Sequence, residues 1–306
     1  MDDVNSKAQR PSPIEPVRSV LADAVRSRVV GANAEQRAGE LFTAPGPRWF
    51  DESRPIRTVH SDTAMFIGGL RALLFQSLHP LAMAGVAQHS DYRHDPWGRL
   101  QRTADFLAAT TFGPEAEATK AIEMVKRVHT RVVGTASDGR RYSANDPHLL
   151  KWVHLAEVDS FLQSHRRFGE TTLSASDADR YVADMAVIAD RLGVIDPPTS
   201  TLQLKRQLAA YRPELKSSRE AREAARYLLV TPPLPMIARP VYGVIAAAAV
   251  SLLPLWARVP LRLPWFPVSE RAIVRPAGDV LARAMRWALG PDSPSRQVPA
   301  AFQHDV

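Results

Sequence analysis

Apolar residues recur every three to four positions along most of the chain, and segments with the alternating pattern typical of strands are almost absent. The spacing predicts an all-α protein, built as a single multi-helix globular domain over residues 17–295. Residues 1–16 begin with acidic residues and lack the apolar core of a signal peptide, so they predict a disordered leader. Residues 296–306 are expected to form a flexible tail.

Proline and glycine mark the expected helix boundaries. A helix pair is predicted at residues 17–30 and 33–42, and later helices are predicted to begin at the steps His79-Pro80, Asp95-Pro96 and Gly113-Pro114. The pair Gly68-Gly69 lies inside the apolar helix TAMFIGGLRALLFQS, where each glycine costs about 1 kcal/mol relative to alanine. That cost predicts a close approach by a neighbouring element or a ligand at this point.

Composition restricts the chemistry that the chain can perform. It has no cysteine, which excludes disulfides, cysteine-zinc sites, iron–sulfur clusters and thiolate-ligated haem, so that a metal must be held by His, Asp, Glu, Tyr or Met. The net charge is +7, but lysine and arginine are scattered and do not alternate with aromatic residues. The sequence therefore predicts no nucleic-acid partner, and it leaves the oligomeric state open.

The longest uncharged apolar run, PVYGVIAAAAVSLLPLWA, covers residues 240–257 and is flanked by Arg239 and Arg258. A spanning helix needs about 20 residues, so the run is at the lower limit of length. It can be a buried helix, a helix lying on a membrane surface or a span, in that order of preference. We therefore expect a cytoplasmic protein with a possible peripheral membrane contact.

Two histidines lie on apolar helical faces. His129 shares its face with Ile122, Val125 and Val132, and His154 lies between Leu150 and Val158 with Glu157 one turn on. A core histidine bonded to a carbonyl or carboxylate is the structural alternative to a metal ligand at either position.

Arg99, Arg102 and Thr103 form a further candidate group. Arg99 and Thr103 are four residues apart and so share a helix face, which suits an anionic cofactor edge as well as a solvated surface with a local hydrogen bond. The spacing alone does not separate the two interpretations.

The order of motifs over residues 46–295 resembles the family that unites latex-clearing rubber oxygenases with the mycophenolate-pathway oxygenase. The motifs, in chain order, are HPLAMAGVAQHS, DPWGRLQRTADFL, VKRVHTRVVG and YSANDPHLLKWVHLAEVDSFL. The resemblance implies a helical domain that encloses a haem pocket, and an oxygenase that uses haem b and dioxygen on a hydrophobic small molecule of the lipid or terpenoid class.

Site roles follow from the same resemblance. It implies His129 as the axial iron ligand, with His154 as the alternative, and Arg99 as the partner of a haem propionate. Arg102 and Thr103 would lie on the side where dioxygen is activated, and His79 is a candidate acid or base, with a helix-junction role as its structural alternative.

One departure from the family affects the expected reaction. Rubber oxygenases have a glutamate upstream of the arginine group as a candidate base, whereas this chain offers Gln76, His79, Gln88 and His89. Polyisoprene cleavage is therefore not expected from the motifs. The alternative function is a non-catalytic lipid-binding or membrane-associated helical protein.

Overall fold

The computed structural model describes residues 41, 43–90, 96–232 and 234–289. Of these residues 71% are helical, and the sheet has only two short strands, which confirms the predicted all-α class. The expected leader, the helix at residues 17–30, most of the helix at 33–42 and the expected tail lie outside the described residues.

The helices follow one another with short connections. In chain order they are α1 (Pro55–Ser61), α2 (Ala64–Gln76), α3 (Pro80–His89), α4 (Pro96–Phe112), α5 (Glu115–His129), α6 (Pro147–Phe168), α7 (Ala175–Leu192), α8 (Thr201–Tyr211), α9 (Arg219–Val230), α10 (Arg239–Leu252), α11 (Leu255–Arg258) and α12 (Arg275–Leu289). A 3₁₀ turn at Arg212–Glu214 follows α8, and a π-helical segment at Glu270–Val274 leads directly into α12.

Helix starts are fixed by proline and by short polar side chains. The predicted starts after His79, Asp95 and Gly113 are confirmed by α3, α4 and α5. Serine or aspartate caps begin four other helices by accepting a hydrogen bond from a backbone N–H in the first turn, as follows: Asp146 before α6, Ser174 before α7, Ser200 before α8 and Ser218 before α9.

A two-stranded hairpin between α5 and α6 was not predicted. Strands β1 (Val133–Thr135) and β2 (Arg141–Ser143) pair antiparallel, with Gly134 opposite Tyr142. Three residues per strand are too few to show an alternating pattern, and the glycine at position 139 supplies the positive φ that the turn needs.

Helix α6 is the centre of the fold. It packs against α2 along most of its length and also contacts α1, α3, α7, α8, α10 and α12. Its side chains are therefore buried on several sides, including those of Trp152, Leu155, Val158, Phe161 and Leu162, each at most 3% exposed. Groups carried by α6 are consequently placed in the interior of the domain.

Gly68 allows α2 to lie directly against α6. A methyl group at Gly68 would come within 3.0 Å of Phe161 Cδ1 and 3.3 Å of Phe161 Cα, whereas a methyl group at Gly69 would meet nothing within 4 Å. The predicted close approach is confirmed at Gly68, where a neighbouring helix makes it. At Gly69 the structure shows no such contact.

Arg71, one turn further along α2, is buried in the same interface. Its guanidinium donates to Asp159 and Ser160 of α6, both at 2.6 Å, and to the carbonyl of Leu252 at the end of α10 at 3.2 Å. A buried charge is stable only when it is paired and hydrogen-bonded, and this arrangement meets both conditions. Arg71 thereby joins α2, α6 and α10.

The apolar run at residues 240–257 forms α10 and α11, separated by Pro254. Ala248, Ala249 and Ala257 are fully buried against the rest of the protein, so this run belongs to the core. Among the described residues, no helix combines the length and the apolar character needed to cross a bilayer.

The two glycines of α2 provide a matched stability test. We expect Gly69→Ala to raise the free energy of unfolding by up to about 1 kcal/mol, because helix propensity improves without a clash. Gly68→Ala gains the same propensity but overpacks the contact with Phe161, which typically costs about 1 to 3 kcal/mol, so we expect a net loss of up to about 2 kcal/mol. Urea unfolding of both variants checks this, and changes of the same sign would contradict the assigned contact.

Candidate functional site

The predicted group on α4 is held by local hydrogen bonds. Arg99 is half-buried and donates from Nη1 to Ser90 Oγ at 2.9 Å, at the end of α3. The Thr103 hydroxyl donates to the Arg99 carbonyl at 3.1 Å, and both Arg102 and Thr103 are exposed. Arg99 is thus directed towards α3. Thr103 makes the local hydrogen bond that was one of its two interpretations from the sequence.

His129 is the last residue of α5, and its ring is half-buried rather than enclosed. Ile122 on the same face is buried, but Val125 and Val132 are half-buried, so the predicted apolar setting is only partly closed. Within the described part of the chain, the imidazole makes no hydrogen bond or ion pair. Burial lowers the pKa of His129, which keeps its ring neutral at neutral pH.

His154 on α6 is more deeply placed. Its side chain is 7% exposed, and its Nε2 atom is buried without a hydrogen-bond partner among the described residues. Burial, with a smaller contribution from the charge of Lys151, lowers the pKa of His154 to about 3. The ring is therefore neutral, which is the form that can bind a metal.

Glu157 lies one turn after His154, and its protonation also differs from that of an exposed side chain. Gln76 Nε2, at the end of α2, donates to Glu157 Oε1 at 3.2 Å. Burial raises the pKa of Glu157 to about 7, although the bond from Gln76 acts in the opposite direction. Close to neutral pH this carboxyl can therefore both donate and accept a proton.

Two further buried polar groups face this region. His60 Nδ1 is 2.8 Å from Thr111 Oγ1, and its Nε2 is 3.4 Å from the hydroxyl of Tyr181. Burial, with a smaller effect of His165, lowers the pKa of His60 to about 3, and burial raises the pKa of Tyr181 well above its usual value. His60, His154 and Tyr181 are therefore uncharged at neutral pH, beside a carboxyl, Glu157, that titrates near it.

The structure places His79 in a different group. His79 is 1% exposed and is the cap of α3, where its Nδ1 accepts a long hydrogen bond, 3.5 Å, from the N–H of Ala82. Its Nε2 atom is 3.5 Å from Glu214 Oε2 but forms no hydrogen bond with it, and His148 Nε2 is 2.8 Å from the same oxygen. The predicted helix-junction position of His79 is confirmed, and the acid–base role stays a prediction.

The predicted site residues do not form one contact network. No hydrogen bond, ion pair or ring contact among the described residues links Arg99, Arg102 or Thr103 to His129, His154 or His79. The residues instead lie in four places: the surface between α3 and α4, the end of α5, the interior side of α6 for His154, and the start of α3 for His79.

Sequence reasoning missed the contribution of His60, Tyr181, His148 and Glu214. Tyr181 lies on the apolar face of α7 with Ala178, Val182 and Met185, so its burial is visible in the helical pattern. His148 and Glu214 are 66 residues apart, and nothing in their local surroundings indicates that they meet.

Comparison with known families gives one match. The family model described as "ER-bound oxygenase mpaB/B'/Rubber oxygenase, catalytic domain" matches residues 57–288, which is about three quarters of the chain. No curated protein and no solved structure matches the chain.

Proposed function

This chain belongs to the mpaB and rubber oxygenase family and carries its oxygenase catalytic domain, and we propose that it uses haem b to oxidise an apolar small molecule with dioxygen. The observation that carries the haem assignment is the presence of neutral histidines whose ring nitrogens lack hydrogen-bond partners in the described structure. A histidine that would hold the haem iron needs such a neutral nitrogen.

Among the described histidines that meet this requirement, His129 and His154 are the two that the sequence motifs single out. His129 is the first candidate to hold the haem iron, because it occupies the motif that the family resemblance assigns to the iron-binding histidine and its ring makes no hydrogen bond among the described residues. His154 is the alternative, and its support is its geometry, since Nε2 is fully buried and has no partner there. The burial of His154 also excludes water from the nitrogen that would bind iron.

Bound haem would supply an iron centre that activates dioxygen. The chain's own contribution begins with Arg99, whose guanidinium carries five N–H donors in a planar arrangement that suits a propionate carboxylate. Arg102 and Thr103 are proposed to stabilise negative charge that develops on oxygen during activation. Thr103 would have to exchange its present bond to the Arg99 carbonyl in order to donate there.

The structure adds Glu157 to the residues proposed to take part in the reaction. Its pKa of about 7 and its bond from Gln76 place a proton donor and acceptor in the interior, one turn from His154. Gln76 was one of the residues that replace the upstream glutamate of rubber oxygenases. We propose that Glu157 and His79 are the two candidates for proton transfer in this chain.

The proposed substrate is apolar because the interior around these groups is apolar. Phe75, Leu155, Val158 and Phe161 are all at most 3% exposed and line the same α2–α6 region. A lipid or terpenoid alkene is the substrate class that the family resemblance implies.

Peripheral membrane contact is the second part of the proposal, and a specific surface favours it. Large apolar side chains between α11 and α12 are strongly exposed: Val259 66%, Trp265 54%, Phe266 63%, Val268 79% and Ile273 66%. We call these five residues the apolar patch. Exposed groups of this kind mark interaction surfaces for proteins or membranes.

The patch is held in place by a buried ion pair. Arg258, which is 4% exposed, pairs with Glu270 at 2.6 Å and donates to the carbonyls of Leu253 and Ser251. Glu270 Oε1 also accepts from the N–H of Phe266 at 3.3 Å. Exposed Arg262 and Arg271 lie beside the patch in the chain, which suits an anionic membrane surface. The non-catalytic lipid-binding alternative would use the same surface.

The first prediction concerns the iron ligand. We expect purified protein to show a Soret band that survives gel filtration, and His129→Ala to give folded protein that has lost most of its haem, because the axial nitrogen is removed. Pyridine haemochromogen assay and circular dichroism check haem content and folding. His89→Ala is the matched control, since His89 also ends a helix and is exposed.

His154→Ala distinguishes the alternative ligand. If His129→Ala keeps its full haem and spectrum while His154→Ala loses both, the iron ligand is His154. Full haem retention in both variants would contradict both ligand assignments, and wild-type protein without a Soret band would contradict the haem proposal.

The second prediction separates Arg99 from Thr103. Arg99→Ala should weaken haem retention, because a lost charged hydrogen bond typically costs about 1 to 3 kcal/mol, which corresponds to roughly 5- to 150-fold. Thr103→Val should leave haem bound and lower the rate of oxygen consumption. Haem transfer to apomyoglobin measures retention, and Arg127→Ala on the exposed face of α5 is the control. Exchanged phenotypes would reverse the two assignments.

The third prediction concerns the apolar patch. We expect the protein to be released from membranes by high salt or alkaline carbonate, since its contact is interfacial. The double variant Trp265→Ser with Phe266→Ser should co-sediment less with anionic vesicles, whereas Ile195→Ser, which removes an exposed apolar residue at the end of α7, should not change binding. Release that strictly requires detergent would contradict the peripheral contact.

A further inference from the structure

His79, His148 and Glu214 form a cluster that the proposed oxygenase function does not require as a unit. The three residues come from the start of α3, the first turn of α6 and the 3₁₀ turn after α8. We propose that this cluster binds one divalent transition-metal ion of the zinc type, separate from the haem.

The ligand atoms converge as such a site requires. One nitrogen from each histidine and one carboxylate oxygen all lie within 4.8 Å of one another. The distances from Glu214 Oε2 to the two Nε2 atoms are 3.5 Å and 2.8 Å. A tetrahedral ion with bonds of about 2.0 to 2.1 Å separates its ligand atoms by about 3.3 Å. Small side-chain rotations therefore suffice to place all three atoms around one ion.

Tyr211 orients His148 for this role. Its hydroxyl donates to the His148 carbonyl at 2.8 Å, and its oxygen lies 3.2 Å from His148 Nδ1. The Tyr211 hydroxyl donates its proton to the His148 carbonyl. The hydroxyl oxygen of Tyr211 can therefore accept a hydrogen bond from the Nδ1–H of His148. This tautomer leaves the lone pair of His148 Nε2 directed at the cluster, and the stacked rings, 4.6 Å apart, hold that orientation.

His79 provides independent evidence that the cluster binds an ion. Its side chain is 99% buried, and Nε2 has no hydrogen-bond partner in the described structure although it points towards Glu214 and His148. Burying a polar atom without a partner is unfavourable, and an ion would remove that penalty. The bond from the Ala82 N–H to Nδ1 is at the outer limit of hydrogen-bond length, so the ring can change tautomer at small cost.

The donor set selects the type of ion. Two imidazole nitrogens and one carboxylate oxygen suit zinc and similar transition metals, whereas magnesium and calcium prefer sites made of oxygen. His148 and Glu214 are 48% and 41% exposed, so the ion can enter from solvent and keep a water as its fourth ligand. His79 would then hold the metal instead of transferring protons.

The ion would join three segments that are distant in sequence. The N–H of Lys216 donates to the Leu78 carbonyl at 2.8 Å, which already holds the segment with Glu214 beside His79. Metal binding would add a connection from both segments to the first turn of α6. We therefore expect bound zinc to raise the melting temperature of the protein.

The test uses the full-length protein after treatment with a chelator and desalting. Zinc chloride is titrated calorimetrically, and bound zinc is measured by mass spectrometry after gel filtration. We expect one zinc per chain, with an increased melting temperature, and no competition from excess magnesium. His148→Ala and Glu214→Gln change exposed side chains, so both should fold and bind zinc more than about 100-fold more weakly, since each removes a direct ligand.

Tyr211→Phe and two controls make the assignment specific. Tyr211→Phe should weaken binding about 10- to 100-fold, as expected for loss of a group that orients a ligand. His89→Ala and Glu223→Gln, which alter an exposed histidine and an exposed glutamate, should bind zinc as the wild type does. His129→Ala and His154→Ala should also keep their zinc, because those residues are assigned to haem.

Two results would overturn the proposal. One is the absence of stoichiometric zinc binding by the chelator-treated wild type, which would leave the cluster as a hydrogen-bonded His–Glu group. The other is zinc binding that is unchanged in both His148→Ala and Glu214→Gln, which would place the ion elsewhere. Neither result depends on haem, so the oxygenase proposal is tested separately.

Discussion

The close contact between α2 and α6 is the constraint on which the rest of the structure depends. Gly68 removes the side chain that would separate the two helices, and Arg71 joins them through Asp159 and Ser160. Ser164 of α6 adds a hydrogen bond to the carbonyl of Ala64 at 2.7 Å. Because interiors are packed as densely as crystals, two helices this close leave little freedom for the side chains between them. Helix α6 is thereby fixed at the centre, and four of its polar residues, His154, Ser160, Ser164 and His165, are buried.

This central position explains why several polar groups in the core are uncharged. His154 and Glu157 lie on α6, and His60 contacts Phe161 of the same helix with ring centroids 5.6 Å apart. Removing water disfavours the charged form of each group, which lowers the pKa of the histidines and raises that of the glutamate. An interior of this kind offers neutral nitrogen ligands and a proton-exchanging carboxyl next to apolar side chains. These are the properties that an oxygenase acting on an apolar substrate needs.

Helix α6 carries one ligand of the proposed zinc site, His148, and the alternative haem ligand, His154. His148 and His154 are six residues apart on α6, about 9 Å along its axis. Gln76 at the end of α2 contacts both regions, because its side chain donates to Glu157 and its carbonyl accepts from the indole of Trp152. The ring of Trp152 in turn lies 6.3 Å from that of His79. The end of the α2–α6 contact therefore connects Glu157, one turn from His154, with the ring of His79.

The sequence determined the helical class, the family and most helix boundaries, because these depend on local features. Proline at the first helical position and serine or aspartate caps act within one turn, so the starts of α3, α4, α5 and α6 could be read directly. The sequence also identified Gly68 as a site of close approach and His154 as a histidine on an apolar face. It did not reveal the β1–β2 hairpin, whose strands are too short for a pattern.

Tertiary structure alone decided which residues meet. His79, His148 and Glu214 are each followed by ordinary helix or turn residues, and only the packing of α3, α6 and α8 brings their ligand atoms within 4.8 Å. The same holds for the depth of each histidine, since the helical pattern of α5 is apolar around His129 but neighbouring elements leave its ring half-exposed. Burial and long-range contact depend on how all helices pack together, and helical periodicity describes only one face of one helix at a time.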